Sequence, residues 1–241
     1  MRVIAIARLG TPIEREAEAL AADLGTLAYG ERLKLSAGLP AIVLSTPDEA
    51  RAESLLQNLR RRGHEAIACL ASDVVPSGAM ISLRRFRLDD DALVASDQAE
   101  ERLPWNDISA LLRATQRTRT QTVDVVKEKK FDLPRALATG GLIRNRTTKR
   151  EVSTRSEVIE PVLYLFRRSG KTPFILREQG THYGALGSQL EPTAPRNFKL
   201  TVDHLRARAP LATFDERLLT RKCSPQELDL LAHLLALSIA L

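Results

Sequence analysis

Cysteine is almost missing from this chain. Cys69 and Cys223 are the only two, far apart and with no CxxC or histidine spacing around either, which leaves a disulfide framework and a structural zinc site without support. Aromatic residues are scarce at 4%. In the most basic part of the sequence Phe131 stands alone, so no aromatic platform for stacked bases is expected there. The opening MRVIAIARLG has an apolar run of five residues before Arg8, shorter than the core of a secretion signal and far short of a bilayer span, so the expected location is cytoplasmic. The four histidines, His64, His182, His204 and His233, lack neighbours at metal-ligand spacing, and HExxH and GxSxG are missing. Gly184-Ala185-Leu186-Gly187 has neither the GK[ST] ending of a phosphate loop nor the third glycine of a dinucleotide fingerprint. Hydrolase, metalloenzyme and nucleotide-binding classes therefore lose their usual signals. No catalytic residue, metal or cofactor is expected.

What is present is ordinary in bulk: 241 residues, 44% apolar and 27% charged, enough for two cores. The first residues, Arg2 to Ala7, read as a strand, and Thr11-Pro12 starts a helix with Ile13, Ala17 and Leu20 at helical spacing. A second helix is expected over 27–37, with Gly38 at its end, then a strand over 41–44. Thr46-Pro47-Asp48-Glu49 joins an N-cap Thr, an N1 Pro and a Glu three residues after the cap, which predicts a helix carrying Ala52, Leu55, Leu56 and Leu59 on one face and stopped by Gly63. A strand over 64–69 completes a βααβαβ order. Val74-Val75-Pro76-Ser77-Gly78 is the expected domain boundary.

Residues 81–126 are the stretch around which the rest is organised. Ile81, Leu83 and Phe86 alternate with polar neighbours, Asp89-Asp90-Asp91 makes a turn, Leu93 and Val94 begin a return strand, and a third strand starts at Leu103-Pro104-Trp105. Trp105 is expected to anchor a core, and RTRTQTVDVV over 117–126 reads as a half-exposed strand. A hairpin is predicted from VLYLFRR over 162–168 and its partner over 172–177, and a helix over 195–208 with Phe198, Val202 and Leu205 on one face, ended before Pro210. Thr181-His182-Tyr183-Gly184 reads as a glycine-bounded turn that could line a small pocket. An enzyme using a pocket near His182 is the most distant functional reading.

Two resemblances follow from these residues. The run LGTLAYGERLKLSAGLPAIVLSTPDEARAESLLQNLRRRGHEAIAC resembles the C-terminal domain of ribosomal protein L7/L12 and the related ClpS adaptor fold, over about the first 70 residues. The acidic motif with which ClpS holds N-terminal amines has no counterpart in LGTPIERE, so degron binding is not carried over. The succession of "DDDAL", "LPWNDI" and a polar strand is similar to small pleckstrin-homology-like barrels, especially the bacterial YcxB-like kind. This resemblance implies a PH-like antiparallel β-barrel or sandwich plugged by the helix within TAPRNFKLTVDHLRARAP, and binding of lipids, peptides or proteins more than chemistry. The expected architecture is α+β: a ClpS-like domain over 1–75, a PH-like domain over 79–220 with a basic insertion over 127–155, and an apolar C-terminal helix over 221–241.

Formal charge is +6, and residues 127–150 account for all of it, with eight bases against two acids. Lys127, Lys129, Lys130, Arg135, Arg144, Arg146, Lys149 and Arg150 are the anion-binding candidates, suited to nucleic acid or to anionic lipid head groups on a membrane surface. At the end, Ser224-Pro225-Gln226-Glu227 repeats the capping pattern before LDLLAHLLALSIAL. Leu228, Leu231, Leu234 and Leu235 exceed a single stripe and call for cover, either by docking onto the chain's own domains or, the favoured reading, by a homodimer, while Asp229 and His233 are expected on a wet edge that argues against bilayer insertion. The functional expectation is a non-catalytic adaptor or regulatory protein working through protein contacts, with the anion binder as the alternative.

Overall fold

The first strand, β1 (Arg2–Arg8), holds five consecutive buried residues, which a strand does only when both faces of its sheet are covered. The structure, a computed structural model, describes residues 1–97, 100–131 and 145–240, with side-chain surroundings described outside 119–156. β1 pairs antiparallel with β2 (Ala41–Thr46) on one side and β3 (Glu65–Leu70) on the other. Ile4 and Ile6 pack against Ala17 and Leu20 of α1 (Ile13–Leu24), Leu35 of α2 (Ala28–Ser36), and Leu55 and Leu59 of α3 (Glu49–Arg61). Val3, Ala5 and Ala7 point the opposite way, as the period of two requires, and meet Leu234 near the other end of the chain. The βααβαβ order read from the sequence is the observed element order.

The cap of α3 is shifted from its expected place. Asp48, not Thr46, is the N-cap, its Oδ1 accepting from the Arg51 N–H at 3.0 Å. Thr46 ends β2, and its hydroxyl accepts from the Asp48 N–H at 3.1 Å, forming the turn into the helix. Pro47 biases Thr46 away from helical dihedrals, which favours this division of labour.

After the segment at 74–78 comes β4 (Ile81–Ser82), then a three-stranded antiparallel meander of β5 (Phe86–Leu88), β6 (Ala92–Ala95) and β7 (Glu101–Pro104). A short 3-10 turn at Trp105–Asp107 leads into β8 (Ile108–Phe131). β9 (Asn145–Arg167), β10 (Phe174–Arg177), α4 (Ala194–Arg208), β11 (Thr213–Leu218) and α5 (Pro225–Ala240) follow. The second large sheet has the order β11-β8-β9-β10-β4. Its alternation is regular. Leu111, Leu163, Leu165, Phe174 and Leu176 face α4 and the meander, whereas Ala110, Leu112, Ala114, Val162, Tyr164 and Ile175 face Leu228, Leu231 and Leu235 of α5.

The expected barrel is therefore corrected to an open, mixed sheet. Among the described residues no sheet closes, and β4 pairs parallel with β10 while β11 pairs parallel with β8. The helix cast as a plug, α4, covers one face of this sheet because α5 already covers the other. The first strand expected in the meander is also divided: Ile81 belongs to β4 and Phe86 to β5, in different sheets.

α5 lies between the two sheets, which accounts for its apolar character on more than one side. Leu228, Leu231, Leu234 and Leu235, expected to offer a homodimer face, are spent on the chain's own core. Asp229 does not occupy a wet edge either. It is 3% exposed, its carboxylate accepting from the Tyr164 hydroxyl at 2.8 Å and the Ser77 N–H at 2.7 Å. His233 accepts from the Val75 N–H at 3.1 Å. The expected boundary at 74–78 is thus strapped to α5. Met1–Gln116 and Glu160–Leu241 form one compact unit, and Arg117–Ile159, which contains parts of β8 and β9, forms a second. The residues expected as a separate first domain lie within the first unit. Among the described residues no helix is long and apolar enough to cross a membrane.

Candidate functional site

Strands β8 and β9 are neighbours in the sheet. The Arg168 N–H donates to the Asp107 carbonyl at 2.7 Å, joining the start of β8 to the end of β9, so the two strands run antiparallel. Arg117 and Glu157 approach to 4.0 Å within the second unit. The expected irregular insertion is corrected here: Lys127, Lys129 and Lys130 lie on β8, and Arg146, Lys149 and Arg150 on β9. Thr and Val are frequent in both strands, residues that suit a pleated, half-exposed surface. Arg135 and Arg144 lie outside the described residues. The unit Arg117–Ile159 contains eleven Lys and Arg and five Asp and Glu, so it holds the whole formal excess of +6 and the first unit is neutral.

A second feature belongs to the first unit. His182 forms a parallel bridge with Arg85, its N–H donating to the Arg84 carbonyl at 2.7 Å. On the other side the Ser96 N–H donates to the Arg85 carbonyl at 2.9 Å, continuing the register in which Phe86 faces Ala95. His182, Arg85 and Ser96 all line a cleft of about 460 Å³, together with Phe86, Arg87, Gly184 and Ala185. A separate cleft of about 580 Å³ is lined by Arg84, Asp97 and Glu101 and by residues 78–82. The sequence reads 181–184 first as a glycine-bounded turn, with a small pocket as the lesser reading, and His182 does line this cleft. Arg85 and Ser96 as its neighbours were not legible, since nothing local connects positions so distant in the chain.

The other polar clusters are internally satisfied. His64 Nδ1 accepts from the Gly10 N–H at 2.9 Å, and its Nε2 lies 2.5 Å from Glu16 Oε2. Arg62 forks onto Glu16 at 3.0 and 2.7 Å. This cluster, with His64 and Glu16 buried and Arg62 half-buried, ties the turn after β1 to the turn before β3. Near α5, burial, with Glu227 and Asp229 adding to it, pushes the Cys223 thiol up to about 11, leaving it protonated and poorly nucleophilic. The acidic turn is paired off: Arg102 reaches Asp91 at 2.5 and 2.6 Å and Asp89 at 3.6 Å, and its hydrogen bond holds the Asp91 carboxyl below its usual range. Trp105 sits in the core cluster, its indole N–H donating to the Asp89 and Asp90 carbonyls at 3.2 and 3.1 Å. Among the described residues no group of three His, Cys, Asp or Glu side chains could hold a metal.

Comparison with known proteins finds no matching family model, no similar curated protein and no similar solved structure.

Proposed function

We propose that this protein is a non-catalytic binding module whose basic strands engage a nucleic acid. The observation that carries the reading is the placement of the entire charge excess on one unit that holds parts of two neighbouring strands. A two-stranded ribbon is of a size that a major groove admits, and Lys and Arg supply affinity by displacing counterions from phosphates. With few aromatics available for stacking, recognition rests on the phosphate backbone more than on base identity. An adaptor role is compatible with this, the nucleic acid being the partner that the ribbon recruits.

The test is fluorescence anisotropy of labelled duplex DNA and RNA with the full-length chain. If about six phosphates are contacted, affinity should fall on the order of 10³-fold between about 50 and 200 mM salt. Replacing Lys127, Lys129, Lys130, Arg135, Arg144, Arg146, Lys149 and Arg150 together with Gln should abolish binding while the melting temperature stays unchanged. Unaltered affinity in that variant, or binding to phosphatidylserine vesicles without binding to either nucleic acid, overturns the reading.

A further inference from the structure

Three hydrogen-bond donors from three separate segments share one face of the first unit. Residues bridged across neighbouring strands point to the same face of the sheet. The bridge between Arg85 and His182 and the bond from Ser96 to Arg85 therefore set the three side chains in a row, with Arg85 in the middle. The cleft of about 460 Å³ lies along that row, a volume in the range of small-molecule sites.

The chemistry of the row is one-sided. His182 Nδ1 accepts from the Gly184 N–H at 3.3 Å, which in the neutral ring leaves the proton on Nε2 as a donor. Gly184 is needed for that placement, because a Cβ there would lie 2.8 Å from His182 Cε1. Ser96 adds a hydroxyl. Arg85 is exposed, and among the described residues no carboxylate pairs with it, whereas Arg87 two positions on is occupied by Glu100 at 2.9 Å and Asp89 at 3.7 Å. Arg84, one position back, belongs to the other cleft and its acids. Phe86 and Ala185 add apolar surface to the same cleft.

We propose that His182, Arg85 and Ser96 form a binding site for a small oxyanion, a phosphate or carboxylate group carried on a small molecule with an apolar body. The guanidinium supplies a planar fork of donors that matches either group, the imidazole Nε2–H and the serine hydroxyl supply further donors, and the half-buried Ala185 meets the apolar part. The site is separate from the basic strands and does not depend on their partner.

The test is an amide-resolved NMR titration of the full-length chain with phenyl phosphate and with benzoate, against sodium chloride at matched ionic strength. Saturable shifts are expected at the Ser96, His182 and Gly184 amides and at the Arg85 side-chain N–H. Tighter binding of phenyl phosphate identifies phosphate esters as the ligand class, and tighter binding of benzoate identifies carboxylates. Arg85→Gln should weaken binding about tenfold or more, the loss of a charge-assisted bond. Gly184→Ala should weaken it without changing any charge, by displacing the imidazole, and Ser96→Ala provides a third variant should either of the others fail to fold. Shifts that grow linearly with every salt, shifts confined to β8 and β9, or folded variants that bind like the parent each overturn the proposal.

Discussion

Replacing Leu234 with Ala should destabilise the whole first unit, because this fully buried side chain sits where the C-terminal helix packs on the N-terminal sheet. Leu234 is 0% exposed and packs on Val3, Ala5, Ala7 and Ile67. Leu-to-Ala substitutions in cores cost about 2–5 kcal/mol, the larger values arising where the surroundings cannot collapse into the vacated space. Here the wall is β1, held on both sides by β2 and β3, and two of its contacts are alanines with no side-chain length to move inward. The upper part of the range, about 3–5 kcal/mol, is expected, which for a protein of this size lowers the melting temperature by roughly 6–20 °C. Leu237→Ala on the same helix is the control: Leu237 is 41% exposed, so its truncation should cost well under about 1 kcal/mol. Urea unfolding followed by far-ultraviolet circular dichroism and by the fluorescence of Trp105 makes the test specific. Trp105 lies in the cluster beneath the meander and makes no part of the Leu234 contact. If the unit unfolds as one, both signals shift together. A loss below about 1 kcal/mol, or a Trp105 transition that stays in place while the dichroism moves, would refute the argument.

A Cβ on Gly10 would sit 2.2 Å from the Gly63 carbonyl oxygen, so Gly10→Ala should cost about 1–3 kcal/mol or more in urea unfolding, whereas Gly30→Ala, with open space inside α2, should stabilise by roughly 0.4–1 kcal/mol. Asp229→Ala leaves the Tyr164 hydroxyl and the Ser77 N–H without their acceptor, a loss of about 1–3 kcal/mol for each, and Asp229→Asn, which keeps an oxygen, should cost less. Burial holds the His233 imidazole below its ordinary value; the unfolded chain then takes up a proton near pH 6.5 before the folded one does, so stability is present above that pH and falls below it, and His233→Gln should flatten this slope in urea midpoints measured from pH 7 to 5. For Cys223, pushed up to about 11, the sign reverses: the unfolded thiol ionises first, stability is lost as pH rises from about 9 towards 11, and reaction with a thiol reagent at pH 8 should be far slower in the folded protein than in urea.

Local signals carried the N-terminal elements well. Apolar spacing, Gly38 and Gly63 just past helix ends and the short buried strands all act within a few residues of one another, and the observed elements follow them closely. The same locality explains the Thr46 misplacement, since Thr46 and Asp48 are both good caps and only the three-dimensional end of β2 decides between them. Residues 127–131 and 145–155 were read as irregular because charge interrupts their alternation. As parts of two strands that neighbour each other in the sheet they need no uninterrupted apolar face. The candidate cleft was half visible. Arg84 and Arg85 are exposed between the buried Leu83 and Phe86, but their junction with residue 182 depends on β4 joining β10 in parallel, a non-local pairing with no sequence signature.

The C-terminal helix shows most clearly where such a reading ends. A helix with leucine on several sides must be covered, and that much follows from LDLLAHLLALSIAL alone. Composition does not say whether the cover comes from another copy or from the same chain. Within this chain the cover comes from its own sheets, and Asp229 and His233 take part in it. On a wet edge they would keep their hydration, yet here Asp229 receives two donors and His233 is fixed between the Val75 N–H and the Asp229 carbonyl. A buried carboxylate with both oxygens satisfied by groups from β9 and the 74–78 segment costs little only when those partners are already in place. The polar pair that looked like a surface signal is what positions α5 within its own chain, and Ser77 and Val75, read as a boundary, are the other half of that contact.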